Sequence, residues 1–172
     1  MNIYLLRHGI AANADAVPKN GERPLTAKGN KRMRKAARGM RRLGLSFDAI
    51  LTSPLPRARQ TADIVAEALG LQSHTSVVEK LQPGNSPDDV LSTLSEYKGS
   101  EHLLLVGHEP LLSDTAAVLL TGKKSAAVEL AFKKGSLCRI EVDSLPPREP
   151  AALHYLLAPK HLRLIGGRGA GS

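Results

Sequence analysis

The chain reads as an α/β protein, three layers deep, with helices on both faces of a largely parallel central sheet. Two observations predict this. Apolar runs of strand length alternate with longer stretches of helical periodicity along most of the sequence. Three of those runs also end alike, in a polar or glycine-containing turn that carries a histidine or an arginine. Open sheets of this kind bind ligands beyond the carboxyl ends of their strands. The repeated ending therefore marks a site as well as a fold.

The first strand is the run Ile3 to Leu6, which stops abruptly in Arg7-His8-Gly9. A cation and an imidazole are poor packing residues and good site residues, although many strands end in polar turns. Residues 11 to 25 are loop-like, with Asn13, Asp15, Pro18, Asn20, Gly21 and Pro24. Thr26 caps a helix whose apolar face is Met33, Ala36, Ala37, Met40 and Leu43, and Gly44 stops it. Phe47 to Thr52 is the second strand, and it runs into Ser53-Pro54-Leu55-Pro56-Arg57-Ala58-Arg59. The helix that follows continues through Ala62, Val65, Ala66 and Leu69 to Gly70. The positive end of a helix prefers anions, so Arg57 and Arg59 there point to a place that receives one. Residues two apart on a helix point in different directions, so one of the two belongs to the surface.

Thr75 to Val78 is a short strand, Pro83 to Pro87 a loop, and Asp88 to Tyr97 a short helix with acids at its amino end. The run His102 to Val106 then leads into Gly107-His108-Glu109-Pro110, with Pro110 in the first turn of a helix that extends towards Gly122. Leu137 to Val142 and Leu153 to Leu157 close the fold as two further strands, joined through Pro146 and Pro147. The expectation is one domain over residues 1–165 and a disordered tail over 166–172. In a parallel sheet His8, Arg57 and His108 converge on one edge, although they lie far apart in sequence.

A chain of 172 residues, 42% hydrophobic and 23% charged, suits one globular domain that needs no staples. The single cysteine, Cys138, excludes an intrachain disulfide and a cysteine-based zinc site, and it reads as a core residue. No apolar stretch approaches a membrane span, and Arg7 and His8 interrupt the first one as no signal peptide would allow. A cytoplasmic location is expected. The net charge of +8 is matched by one segment, Lys28 to Arg42, which holds eight cations and no acid. It reads as a solvated helix face or as a docking surface for phosphate or an acidic protein. With no Trp, two Phe and three Tyr there is little to stack on bases, which disfavours nucleic acid as a partner.

Two histidines with two or three arginines make a pocket for a dianionic phosphate. Guanidinium groups grip phosphate oxygens in pairs and stay charged. Imidazole, with an ordinary pKa of about 6.5, is neutral often enough near neutral pH to act as a nucleophile. A metal site needs further ligands, and the arginines would repel a cation. Neither a metal nor another cofactor is implied.

Leu-Leu-Arg7-His8-Gly9, Ser53-Pro54-Leu55 with Arg57-Ala58 and Thr61-Ala62, and Gly107-His108-Glu109-Pro110 resemble the motifs of the histidine phosphatase superfamily, which includes the cofactor-dependent phosphoglycerate mutases. The short length, Arg23-Pro24-Leu25-Thr26 with Gly29, and the Gly-His-Glu-Pro turn are most similar to its SixA-type phosphohistidine phosphatase branch. The resemblance runs in order from residue 2 to about residue 160. It implies a compact phosphoglycerate mutase-like fold without a lid insertion. It also implies that His8 attacks phosphorus and becomes a phosphohistidine, that Arg7 and Arg57 hold the transferring oxygens, and that His108 completes the phosphate pocket.

The chain departs from the mutase branch. Ile10, Ala11 and Ala12 stand where mutases carry Glu-Ser or Glu-Thr, and the chain is too short for the segment that holds their glutamate acid. Glu79, Asp88 and Glu109 are the acids that remain as substitutes. An alkoxide leaving group needs a proton, whereas the nitrogen of a phosphohistidine leaves readily, so the departure favours N–P substrates. The expected function is a metal-independent phosphatase acting on a phosphorylated signalling protein, such as a histidine-phosphotransfer domain. The alternatives are a phosphatase of small phosphorylated molecules, or a phosphate-binding regulatory module without turnover. His74, His154 and His161 read as surface residues, and His102 lies at the wrong end of its strand.

Overall fold

The computed structural model describes residues 1–13, 15, 22–122, 130–145 and 147–167. Its sheet has six strands: β1 (Asn2–Arg7), β2 (Ala49–Thr52), β3 (Thr75–Val77), β4 (His102–Gly107), β5 (Leu137–Glu141) and β6 (Ala152–Leu157). Five α-helices join or follow them: α1 (Ala27–Arg42), α2 (Pro56–Leu69), α3 (Pro87–Leu94), α4 (Leu111–Thr121) and α5 (Pro159–Gly167). The strand order is β3-β2-β4-β1-β5-β6. The pairs β3–β2, β2–β4 and β4–β1 are parallel, whereas β5 is antiparallel to both β1 and β6. Only β5 therefore runs against the rest, and the sheet is mostly parallel.

Period-two alternation divides the buried side chains between two cores. Ile3, Leu5, Leu51, Leu103 and Leu105 face α3 and α4 on one side. Tyr4, Leu6, Ile50, Leu104 and Val106 face α1, α2 and Leu162 of α5 on the other. Strands with both faces covered read as continuous apolar runs, which is why the central ones were plain in the sequence.

Helix boundaries follow local chemistry. The Thr26 side chain accepts from the Gly29 N–H at 2.9 Å to cap α1, and Ser86 and Asp89 form a reciprocal capping box on α3. Gly70 ends α2 at φ 73°, a conformation that favours glycine. Pro110 lies one position earlier than the sequence predicts, as the residue that precedes α4 rather than one within it.

The sequence reading lacked α5. Its periodicity is short, and its packing depends on glycine rather than on an apolar stripe. A Cβ on Gly39 would collide with the Leu162 carbonyl oxygen, and one on Gly166 with the Lys35 carbonyl oxygen. The two backbones touch there, so α1 and α5 lock by close approach. Helix α5 continues through Gly166 and Gly167, where the tail was expected to begin. Residues 168–172 lie outside the described residues, as do Pro18, Asn20 and Gly21 of the expected loop and Pro146 of the expected turn.

The topology settles what shares an edge. β1, β2 and β4 end at the carboxyl edge, and antiparallel β5 begins there. β6 points the same way as β1, so α5 also starts from that edge.

Candidate active site

β1 delivers Arg7 and His8 to the edge, where backbone pairing fixes both. Arg7 N–H donates to the Ser136 carbonyl at 3.1 Å, and His8 N–H donates to the Gly107 carbonyl at 3.1 Å. The Arg7 guanidinium donates through Nη1 to the Phe132 carbonyl at 2.5 Å. β4 delivers His108, and the His8 and His108 ring centres lie 5.0 Å apart. Both histidines are buried, at 6% and 2% exposure.

A hydrogen bond to a carbonyl assigns the His8 tautomer, and one to a hydroxyl constrains that of His108. His8 Nδ1 lies 2.7 Å from the Gly9 carbonyl oxygen, which can only accept, so Nδ1 carries the proton. Nε2 of His8 is left with a free lone pair. His108 Nε2 lies 2.9 Å from Ser53 Oγ. Ser53 Oγ also accepts a long 3.4 Å bond from the Leu55 N–H, and its own proton is free to point at His108 Nε2. In that arrangement His108 carries its proton on Nδ1, an atom that is buried and, among the described residues, has no partner.

α2 delivers Arg57. The amino end of α2 has no side-chain cap and no acid in its first turn, and Arg57 sits there buried. Thr61 ties this turn to the first motif, accepting from the Gly9 N–H at 3.1 Å and donating to the Arg57 carbonyl at 2.7 Å. Among the described residues Arg57 Nη1 is buried without a partner, as is Arg7 Nε. Buried donors in native proteins are normally satisfied. With His108 in that tautomer, unpaired N–H groups on Arg7, Arg57 and His108 together form a cradle that can hold an oxyanion, with two permanent charges in it.

The electrostatics agree. Burial, with Arg57, Arg7 and Lys134 nearby, pushes the His8 pKa down to about 4 even against its bond to Gly9. Burial, His8, Arg57 and Arg7 push His108 down to about 3. The positive field that disfavours imidazolium favours a bound dianion, and it keeps the His8 lone pair free at neutral pH.

The other sequence candidates separate cleanly. Arg59 is exposed, so it is the surface member of the pair. Glu79 is exposed beyond β3, its carboxylate accepting from Gln82 Nε2, and Asp88 is exposed in the first turn of α3. Glu109 is the acid at the site. Its Oε2 accepts from Ser113 Oγ at 2.7 Å, its Oε1 is buried and unpaired among the described residues, and burial raises its pKa despite nearby Arg7. Cys138 is fully buried in β5, and burial pushes its thiol up to about 12. His74, His154 and His161 are exposed, and His102 lies at the amino end of β4 against Tyr4. Among the described residues no cluster of three His, Cys, Asp or Glu side chains is placed to hold a metal.

Four contributors were missing from the sequence reading as site residues: Ser53, Thr61, Arg23 and Lys134. Ser53 and Thr61 stood inside the motifs, but their bonds to His108 and Gly9 are invisible without the fold. Arg23 acts on Arg57, and its Nε donates to the Ala12 carbonyl at 2.5 Å. Lys133-Lys134-Gly135 opens β5, and only the antiparallel course of β5 brings it to this edge.

The sequence model of the histidine phosphatase superfamily (branch 1) matches residues 3–82. The phosphohistidine phosphatase SixA of Escherichia coli K12 is 31% identical over 125 residues, which cover 72% of this chain and 76% of that protein. The chain belongs to the histidine phosphatase superfamily. An uncharacterized protein of Picosynechococcus sp. is 42% identical over 125 residues, covering 72% of this chain and 75% of its own. Among solved structures, a protein histidine phosphatase SixA complexed with tungstate superposes with a TM-score of 0.83 at 25% identity, over 94% of this chain and 99% of that one. The superfamily model covers β1, α1, β2, α2 and β3. His108 enters from the remaining part, directly after β4.

Proposed function

We propose that this histidine phosphatase removes phosphate from phosphohistidine on a protein, through a covalent intermediate on His8. The observation that carries the reading is the unprotonated Nε2 of His8, held by the Gly9 carbonyl within a cradle of unpaired donors. Arg7 and Arg57 bind the phosphoryl oxygens. His108, holding its Nδ1 proton through Ser53, donates to the charge that develops as the transferring group leaves. The His8 lone pair attacks phosphorus, the P–N bond of the substrate breaks, and its electron pair stays on the departing imidazole nitrogen, which takes up a proton. Water then attacks the phosphoryl group on His8 and releases inorganic phosphate. Positioning and charge neutralisation are what phosphoryl transfer chiefly requires. The related structure that holds tungstate supports an oxyanion-binding reading, because tungstate is a tetrahedral dianion like phosphate.

The test compares turnover of a phosphohistidine-bearing protein and of a sugar phosphate, for wild type and His8→Ala. Faster turnover of the protein, abolished in His8→Ala, is expected. Preference for the sugar phosphate would favour the small-molecule phosphatase and implicate Glu109 as its acid. Binding of phosphate without turnover of either would favour a regulatory module.

A further inference from the structure

A cavity of about 690 Å³ opens beside the catalytic pocket, between α1, α5 and the turn that enters β5. Its rim carries Arg7, Arg32, Lys133, Lys134, Lys160 and Arg163, and among the described residues no carboxylate lines it. Its floor is apolar, with Ile10, Met33, Ala36 and Pro159. His8, Arg57 and His108 are not part of it, so it is a separate surface that shares Arg7 with the phosphate cradle. Lys134 joins the two as well, since it lines the cavity and acts electrostatically on His8.

We propose that this groove docks an acidic segment of the phosphorylated protein while its phosphohistidine occupies the His8 cradle. The inference rests on the protein-phosphatase reading above and adds the surface that selects the partner. Charge complementarity is its first support. Burial first, and then nearby Arg32, lower the Arg163 pKa, and among the described residues neither arginine has a carboxylate partner. Like charges assembled without counter-charges raise the energy of the free protein, and an acidic partner relieves it. Continuity is the second support, because the groove and the cradle lie along one sheet edge. Size and floor are the third. The volume far exceeds a phosphate, and an apolar floor suits side chains of a polypeptide rather than a bare polyanion. Among the described residues no Phe, Tyr or Trp lines it, so nucleic-acid bases find nothing there to stack on.

The experiment measures kcat and KM on two N–P substrates. One is an acidic histidine-phosphotransfer domain charged with phosphoramidate, and the other is phosphoramidate itself. Wild type is compared with R32E/R163E and, because Arg163 is half-buried, with K133E/K160E, whose lysines are exposed. KM for the domain is expected to rise about tenfold or more in both variants, with the change for phosphoramidate under about twofold. Added salt should raise the wild-type KM for the domain and flatten in the variants. Unchanged KM for the domain, with normal phosphoramidate turnover, would overturn the docking surface and leave the phosphatase reading standing. Equal losses on both substrates would overturn it too, by making the groove part of the catalytic cradle. Failure of wild type to hydrolyse either substrate would refute the phosphatase reading itself, and docking with it.

Discussion

Replacing Ser53 with alanine tests how His108 is held. Ser53 is fully buried, and its hydroxyl makes the 2.9 Å bond to His108 Nε2. Ser53→Ala leaves that ring nitrogen without a partner, and His108 is then free to move its proton from Nδ1 to Nε2. Losing one hydrogen bond to a buried ring costs about 1–2 kcal/mol. If the loss falls on the transition state, turnover drops by about 5- to 30-fold. The effect should depend on pH in one direction. A protonated His108 donates from Nδ1 whichever tautomer the neutral ring prefers, so acid should narrow the gap between variant and wild type. A steady-state series on phosphoramidate across pH, with a thermal melt for folding, provides the measurement. A change in kcat under twofold, or a gap that stays constant with pH, would refute the tautomer assignment.

Three further outcomes follow from the geometry. In phosphate-free protein the His8 and His108 ring protons should titrate by NMR near about 4 and about 3, with phosphate raising both. The unfolded chain takes up these protons near about 6.5, so both groups lower stability as pH falls through that window. A midpoint at the ordinary imidazole value would contradict the buried, cationic site. Gly39→Ala should destabilise the fold by about 2 kcal/mol in urea titration, since overpacking outweighs the helix propensity of alanine. Gly99→Ala, with open space around it, should stay within about 0.5 kcal/mol. Glu109→Gln should slow hydrolysis of an alkyl phosphate ester more than hydrolysis of phosphoramidate, because only the alkoxide requires a strong proton donor; equal effects would make Glu109 a packing residue.

Much of this was legible because parallel strands announce themselves. The runs Ile3 to Leu6 and Leu103 to Val106 are buried on both faces, so each appears as an unbroken apolar stretch ending at its functional residue. Proximity of His8 and His108 followed from that rule alone. What stayed hidden depends on contacts that sequence periodicity does not encode. α5 is held by backbone-to-backbone approach at Gly39 and Gly166, which leaves only a short apolar pattern. Lys134 reaches the site because β5 runs backwards, and strand direction is not written in an alternating pattern. The burial of Glu109 was obscured by its place in a turn, where an acid needs no special explanation.

The most direct test of the account is to trap the phosphoenzyme. Wild type is mixed with phosphoramidate, quenched in alkali within milliseconds, and analysed by mass spectrometry of proteolytic fragments. The account expects a phosphoryl group on His8 Nε2, stable to base and lost in acid, and absent from His8→Ala. Turnover with no modified His8 under conditions that accumulate the intermediate, or undiminished turnover by His8→Ala, would contradict it.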